Sequence, residues 1–263
     1  MKKLIYKLCK KIEAEKRIKI LFAVENGSRA WRMDSKNSDY DVRFVYMRPL
    51  KDYLTINPSD GVITKSYDAE GKPMQQEGCT IDIEGFDIFK FGKLLAASNP
   101  TIIEWLMSDI IYYGDRSKIF TEYAKTQFKA ISLYYHYGSI CRQNYLKYIK
   151  TRNHVTYKKY LYAMRGLINA LYVKQFNKVP PIDFNQTIAD TNISLHIRKK
   201  LRDIISLKKS GKEKDIENVI SDFDDYIESF LKTMQEEAPN NQPRQTVNAI
   251  NEEIQKLLFK RKV

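Results

Sequence analysis

Two periodicities divide the chain. Short apolar runs with strand character alternate with helical spacing in residues 1–115, and beyond them only the helical period remains. Leu4, Ile5, Leu8 and Ile12 predict an amphipathic helix over residues 2–16. Residues 18–24 (IKILFAV) read as a buried strand, broken by Glu25-Asn26-Gly27-Ser28. A short helix is expected to begin at Arg29-Ala30-Trp31, followed by a polar loop at 33–38 and a second strand over 39–47 (DYDVRFVYM). Pro49 opens a helical turn at 50–53. Further strands are predicted at 62–67 and 76–84, the latter centred on Ile81-Asp82-Ile83 and ended by Gly85. Asp87 stands at an N-cap position before a helix over 89–97, and Asn99-Pro100 starts another through Glu104-Trp105-Leu106. Long helices follow at 121–150, 155–176, 194–208 and 213–234, interrupted by Pro180-Pro181. A linker at 239–244 precedes a last helix from about residue 246. The pattern predicts an α+β protein: a small mixed β-sheet domain at 1–115, then an all-helical domain at 116–263.

Composition adds an asymmetry. The chain has 263 residues and is 43% hydrophobic, enough to bury a core in one or two domains. No apolar run is long enough to cross a bilayer, and lysines interrupt the N-terminal apolar stretch, so an amphipathic helix is expected there and not a signal peptide. The scattered cysteines Cys9, Cys79 and Cys141 form no C-x-x-C pair and point to a cytoplasmic protein. The histidines His136, His154 and His196 lack zinc-ligand spacing. Net charge is +13, with 18 basic and 16 acidic residues in 1–110 against 27 and 16 in 111–263. The second half is the electropositive one, which suits either a solvated basic surface or a polyanionic partner.

The candidate chemistry lies in residues 27–44 (GSRAWRMDSKNSDYDVRF). On a strand, Asp39 and Asp41 share a face roughly 6.5–7 Å apart, so their carboxylates can jointly hold hard cations such as Mg²⁺. By itself, D-x-D is common and often only two exposed charges at a strand start. Gly27 lets backbone approach a phosphate, Ser28 offers a hydroxyl, and a helix starting near Arg29 favours an anion at its N-terminus. By itself, Gly-Ser is an ordinary turn.

The combination is specific. A buried strand, Gly-Ser, ten residues and Asp-x-Asp on a second strand resembles the signature of the DNA polymerase β-like nucleotidyltransferase superfamily. The segments GSRAW, SDYDVRF, DIEGFD and SNPTIIEWL, with KKYLYAMRGL and Pro180-Pro181 later, resemble more narrowly the bacterial and phage nucleotidyltransferases related to RNA-repair-associated polymerase β-like proteins. The resemblance spans roughly residues 18–185. It implies a palm-like sheet domain, with Gly27, Ser28 and Arg29 holding the phosphates of a nucleoside triphosphate. It further implies that Asp39, Asp41 and a third acid hold Mg²⁺ or Mn²⁺. Asp82 fits the third position, ahead of Glu84 and of Asp87, which also reads as a helix cap. One departure stands out: the family usually places glycine directly after GSRAW, where this chain has Arg32.

The helical segment 123–182 holds no Asp or Glu, eleven Lys or Arg and twelve Tyr or Phe. It suggests a positive wall for a triphosphate, with Lys159 and Arg165 as candidate phosphate ligands. Tyr134, Tyr145, Tyr148, Tyr160 and Tyr162 are expected mainly in the core, and His136 as a packed histidine. The expected activity is metal-dependent transfer of a nucleoside monophosphate to a hydroxyl on RNA, protein or a small molecule. The alternative is a nucleotide- or RNA-binding protein, or a toxin-neutralising partner, without turnover.

Overall fold

A computed structural model of the chain describes residues 1–57, 60–153, 155–211, 220–240 and 246–259. Five strands form one mixed sheet in the order β3-β4-β2-β1-β5: β1 (Lys19–Asn26), β2 (Tyr40–Met47), β3 (Val62–Tyr67), β4 (Ile81–Asp87) and β5 (Ile111–Gly114). Only the β2–β4 pairing is parallel among the pairings of these strands. Helix α1 (Lys2–Lys16) lays Ile5, Leu8 and Ile12 on one sheet face, against Ile20, Val42, Phe44, Ile81 and Ile83. The alternation of β2 and β4 sends Asp41 and Arg43, Asp82 and Glu84 to the opposite face. There Phe22 meets Phe91 of α3 (Ile88–Ala96), and Phe86 meets Trp105 of α4 (Pro100–Met107). The fold class is α+β, as the patterning predicts.

The chain separates into two compact units. The first contains Met1–Ala30, Ser38–Phe128 and the C-terminal segment that carries α11 (Asn248–Phe259). In it α11 packs on α3 and on α5 (Lys118–Thr126), with Ser117 Oγ donating to Glu253 Oε1 at 2.7 Å. The second contains Trp31–Asn37 and the chain from Lys129 through α10 (Ser221–Thr233). Its centre is the pair α6 (Ala130–Asn144) and α7 (Tyr157–Phe176), with α8 (Phe184–Asp190) and α9 (Leu195–Lys209) packed on α7.

Several local expectations are corrected. The short helix α2 is Gly27–Ala30, so it starts before Arg29 and ends before Trp31. Asp39 lies one residue outside β2. Gly85 does not end β4 but sits within it, because a Cβ there would lie 2.1 Å from Phe44 Cζ; it is the glycine of a close ring contact. The expected helix 121–150 is three pieces: α5, α6 and a π-helical turn at Tyr145–Ile149. The wide turn keeps both Tyr145 and Ile149 buried, and Tyr145 OH donates to Glu228 Oε1 at 2.7 Å. Helix α8 was not signalled by the pattern; its Phe184 N–H donates to Trp31 O at 3.2 Å. Residues 213–219 of the expected helix 213–234, residues 241–244 of the expected linker, and His154 lie outside the described residues. Among the described residues, no helix is long and apolar enough to cross a membrane.

Candidate active site

Parallel pairing sets Asp41 opposite Asp82. Both carboxylates therefore leave the sheet on one face, at the beginnings of two neighbouring strands. Between them lies the Arg43 guanidinium, only 12% exposed. Its Nη2 donates to Asp41 Oδ1 at 3.1 Å and to Asp82 Oδ2 at 2.9 Å. Its Nη1 donates to the carbonyls of Val42 at 3.0 Å and Asp82 at 3.1 Å, and its Nε stands 3.9 Å from Glu84 Oε2. The sequence reading missed Arg43, although a residue two along from Asp41 on a strand must share its face.

Gly27 supplies the floor. Its φ is +62°, and a Cβ there would lie 2.0 Å from Asp41 Oδ2. The glycine is thus required both by the left-handed backbone and by the approach of the Asp41 carboxylate. A second support was also missed. The Asp41 N–H donates to Glu25 Oε1 at 2.8 Å, and the Tyr112 hydroxyl donates to Glu25 Oε2. Burial pushes the Glu25 carboxyl up from 4.5 to about 7, and burial beside Glu25 pushes the Tyr112 phenol up as well. Ser108 Oγ donates to the Glu25 carbonyl at 2.6 Å. An acid closing an apolar strand was the available signal.

The family model RlaP, the RNA repair pathway DNA polymerase beta family, matches residues 1–259. The chain belongs to this family. It is also 32% identical over 244 residues to the uncharacterized protein YcgL of Bacillus subtilis (strain 168), covering 90% of this chain and 88% of YcgL. A solved structure, the nucleotidyltransferase-like protein from Exiguobacterium sibiricum 255-15, aligns over 98% of this chain and 81% of its own at 11% identity and a TM-score of 0.32.

Within this member of the polymerase beta family, the other expected site residues are placed as follows. Ser28 is buried in α2. Arg29 holds the loop ahead of β2: Nε donates to Asp39 O at 3.1 Å, Nη2 donates to Ser38 O at 2.5 Å, and the guanidinium lies 3.8 Å from the Tyr40 ring centroid. Asp39 is exposed. Arg32 has φ +60°, so it keeps the left-handed backbone that a glycine there would adopt without strain. In the helical unit, the Lys159 ammonium lies 3.6 Å from the Tyr148 ring centroid. Arg165 is buried with its guanidinium 3.6 Å from the Trp31 ring centroid, and Trp31 meets Tyr162 edge-on. Tyr134, Tyr145 and Tyr160 are buried in the core, as expected, whereas Tyr148 and Tyr162 are half-buried.

Among the alternatives to Asp82, Glu84 turns to Arg43, while Asp87 falls on the opposite parity of β4. Asp87 caps α3, accepting from Phe89 N at 2.9 Å and from Tyr53 OH at 2.7 Å, and burial raises its pKa. Among the described residues no group of three His, Cys, Asp or Glu is placed to hold a metal ion. What the site does offer is hard oxygen from Asp41 and Asp82. Asp82 Oδ1 is buried without a hydrogen-bond partner among the described residues. An orphaned buried carboxylate oxygen beside a second carboxylate fits a Mg²⁺-type ion, which takes one or two carboxylates and completes its shell with water and substrate phosphate.

Proposed function

We propose that the chain is a metal-dependent nucleotidyltransferase that moves a nucleoside monophosphate from a nucleoside triphosphate to an acceptor hydroxyl and releases pyrophosphate. The observation that carries this reading is the register of Asp41 with Asp82, two carboxylates on one sheet face with Gly27 closed against Asp41. Asp41 and Asp82, with Asp39 two residues before Asp41, are the residues that would hold Mg²⁺ or Mn²⁺. When bound, such an ion supplies charge neutralisation for the phosphates at the reacting centre.

The chain's own groups do the rest. Asp82 accepts the proton of the attacking hydroxyl, in keeping with its unpartnered Oδ1. Gly27 and Ser28 admit the triphosphate to the turn after β1, and Arg29 fixes the loop ahead of β2. Lys159 and Arg165 belong to an acid-free helical segment whose charge suits phosphate. An RNA hydroxyl suits the basic second half and the family's link to RNA repair.

The test is transfer of label from α-labelled nucleoside triphosphates in Mg²⁺ or Mn²⁺, with RNA, protein and small-molecule acceptors. The double change Asp39→Ala, Asp41→Ala is expected to abolish transfer. Transfer that survives it refutes the assignment. Salt-dependent RNA binding with no transfer to any acceptor favours a binding protein instead.

A further inference from the structure

The Arg43 side chain stands where the acids converge. Every guanidinium nitrogen is engaged: Nη2 by two carboxylates, Nη1 by two carbonyls, and Nε by the Glu84 carboxylate at 3.9 Å. The group is permanently charged, and its planar fork matches paired oxygens. Asp41 Oδ1 and Asp82 Oδ2 are therefore already neutralised in part by a cation belonging to the protein.

We infer that Arg43 is an internal competitor for the metal: its guanidinium and a divalent ion share the Asp41–Asp82 pair, so Arg43 holds metal affinity down. The inference rests on the metal-dependent reading above. With Arg43 in place the two carboxylates present a net charge of −1 to an incoming ion; without it they present −2, at close range and with mutual repulsion to relieve. An ion ligated by both acids takes over the oxygens that now accept from Nη2. The released guanidinium then has Glu84 at hand, already its nearest neighbour through Nε and a half-exposed group able to follow it. Arg43 is a positioning residue in this account. It sets when the acids are available and does not touch the reacting atoms in the arrangement observed.

The test is Mn²⁺ binding to the full chain, followed by electron paramagnetic resonance, in wild type, Arg43→Gln, Arg43→Met, Asp41→Asn and Asp82→Asn. Circular dichroism checks that each variant is folded. Arg43→Gln or Arg43→Met is expected to tighten Mn²⁺ about tenfold or more, while either Asn variant weakens it. A folded Arg43 variant that binds Mn²⁺ no more tightly, alongside Asn variants that lose binding, overturns the competition and leaves the metal-dependent reading standing. Mn²⁺ binding indifferent to Asp41→Asn and Asp82→Asn, or no binding to any of the proteins, overturns both. A second measurement needs no variant. The guanidinium NMR signals of Arg43, assigned through its own backbone, are expected to shift and sharpen as Mg²⁺ releases the side chain. Signals unchanged at saturating Mg²⁺ overturn the inference even if the variants fail to fold.

Discussion

Four charges of the sheet-bearing unit and two candidate cations of the helical unit are held by different means. In the sheet-bearing unit, Asp41, Arg43, Asp82 and Glu84 are fixed by the register of two parallel strands, and each charge answers another charge. In the helical unit, Arg165 lies over the Trp31 indole and Lys159 over the Tyr148 phenol, so these two cations rest on aromatic faces, while others there, such as Arg152 with Asp224, are ion-paired. A strand ladder dictates where a carboxylate points to within the pleat, because side chains alternate strictly. A helix face offers a cation many positions, and the ring beneath it chooses among them. The contrast separates a region where substitution should damage chemistry from one where it should first damage packing.

The largest effect is expected at the ladder. Asp82→Asn keeps the shape and removes the charge. It should lower nucleotidyl transfer by roughly 10²–10³-fold, the scale of losing one electrostatic group at a reacting centre. Retained far-ultraviolet circular dichroism would show that the fold survives. If transfer falls less than about threefold, the ladder is not the reacting centre.

Gly27→Ala tests the floor beneath Asp41. The new methyl would stand 2.0 Å from Asp41 Oδ2 on a backbone with φ +62°. Transfer should drop about 10- to 100-fold through displacement of the carboxylate, with roughly 1–2 kcal/mol lost from stability in urea unfolding. An alanine variant as active as wild type would separate Gly27 from the site.

Arg165→Lys tests the other unit. Lysine keeps the charge and loses the planar stack on Trp31, so about 1–2 kcal/mol of stability should go, read by urea unfolding and by a change in tryptophan fluorescence. Transfer by the folded variant should fall less than with Asp82→Asn. A loss of transfer that matches Asp82→Asn at unchanged stability would instead make phosphate binding, rather than packing on Trp31, the main role of Arg165 and erase the contrast.

The smallest effect is expected at Asp87, on the opposite parity of β4 from Asp82. Burial raises its pKa above the ordinary 3.8, so the folded chain holds this proton to higher pH than the unfolded chain does. Its contribution to stability is therefore fully present below 3.8 and is lost as pH rises through the folded value. Asp87→Asn keeps an N-cap acceptor and should flatten that fall in thermal unfolding measured against pH, with transfer near wild type. An unchanged slope would contradict the assignment of the shift to this group.

Much of the ladder was legible because strand alternation is local. Asp39 and Asp41 could be named from spacing, Asp82 only through the family resemblance, and the mixed sheet from its short apolar runs. The pairing of Asp41 with Asp82 was not legible from spacing alone, since register belongs to two strands joined through residues 48–80, with β3 between them in the chain. Arg43 and Glu25 were passed over for a related reason. Their sequence neighbours look like ordinary strand residues, and only the pairing shows that Arg43 lies between two acids and that Glu25 bonds the Asp41 backbone. Gly85 misled because glycine usually breaks a strand, whereas here the Phe44 ring demands its missing Cβ. In the helical unit the period identified α7 and α9, but the break between α5 and α6 has no Gly or Pro to mark it. The docking of α11 (Asn248–Phe259) on α3 (Ile88–Ala96) joins segments distant in sequence, beyond what a local pattern can express.

The most direct test is a crystal grown with Mn²⁺ and a non-hydrolysable nucleoside triphosphate, with anomalous data collected at the manganese edge. A peak ligated by both Asp41 and Asp82, with the α-phosphate beside it, is the predicted result. Nucleotide bound with manganese elsewhere, and Asp41 and Asp82 still closed on Arg43, would contradict it.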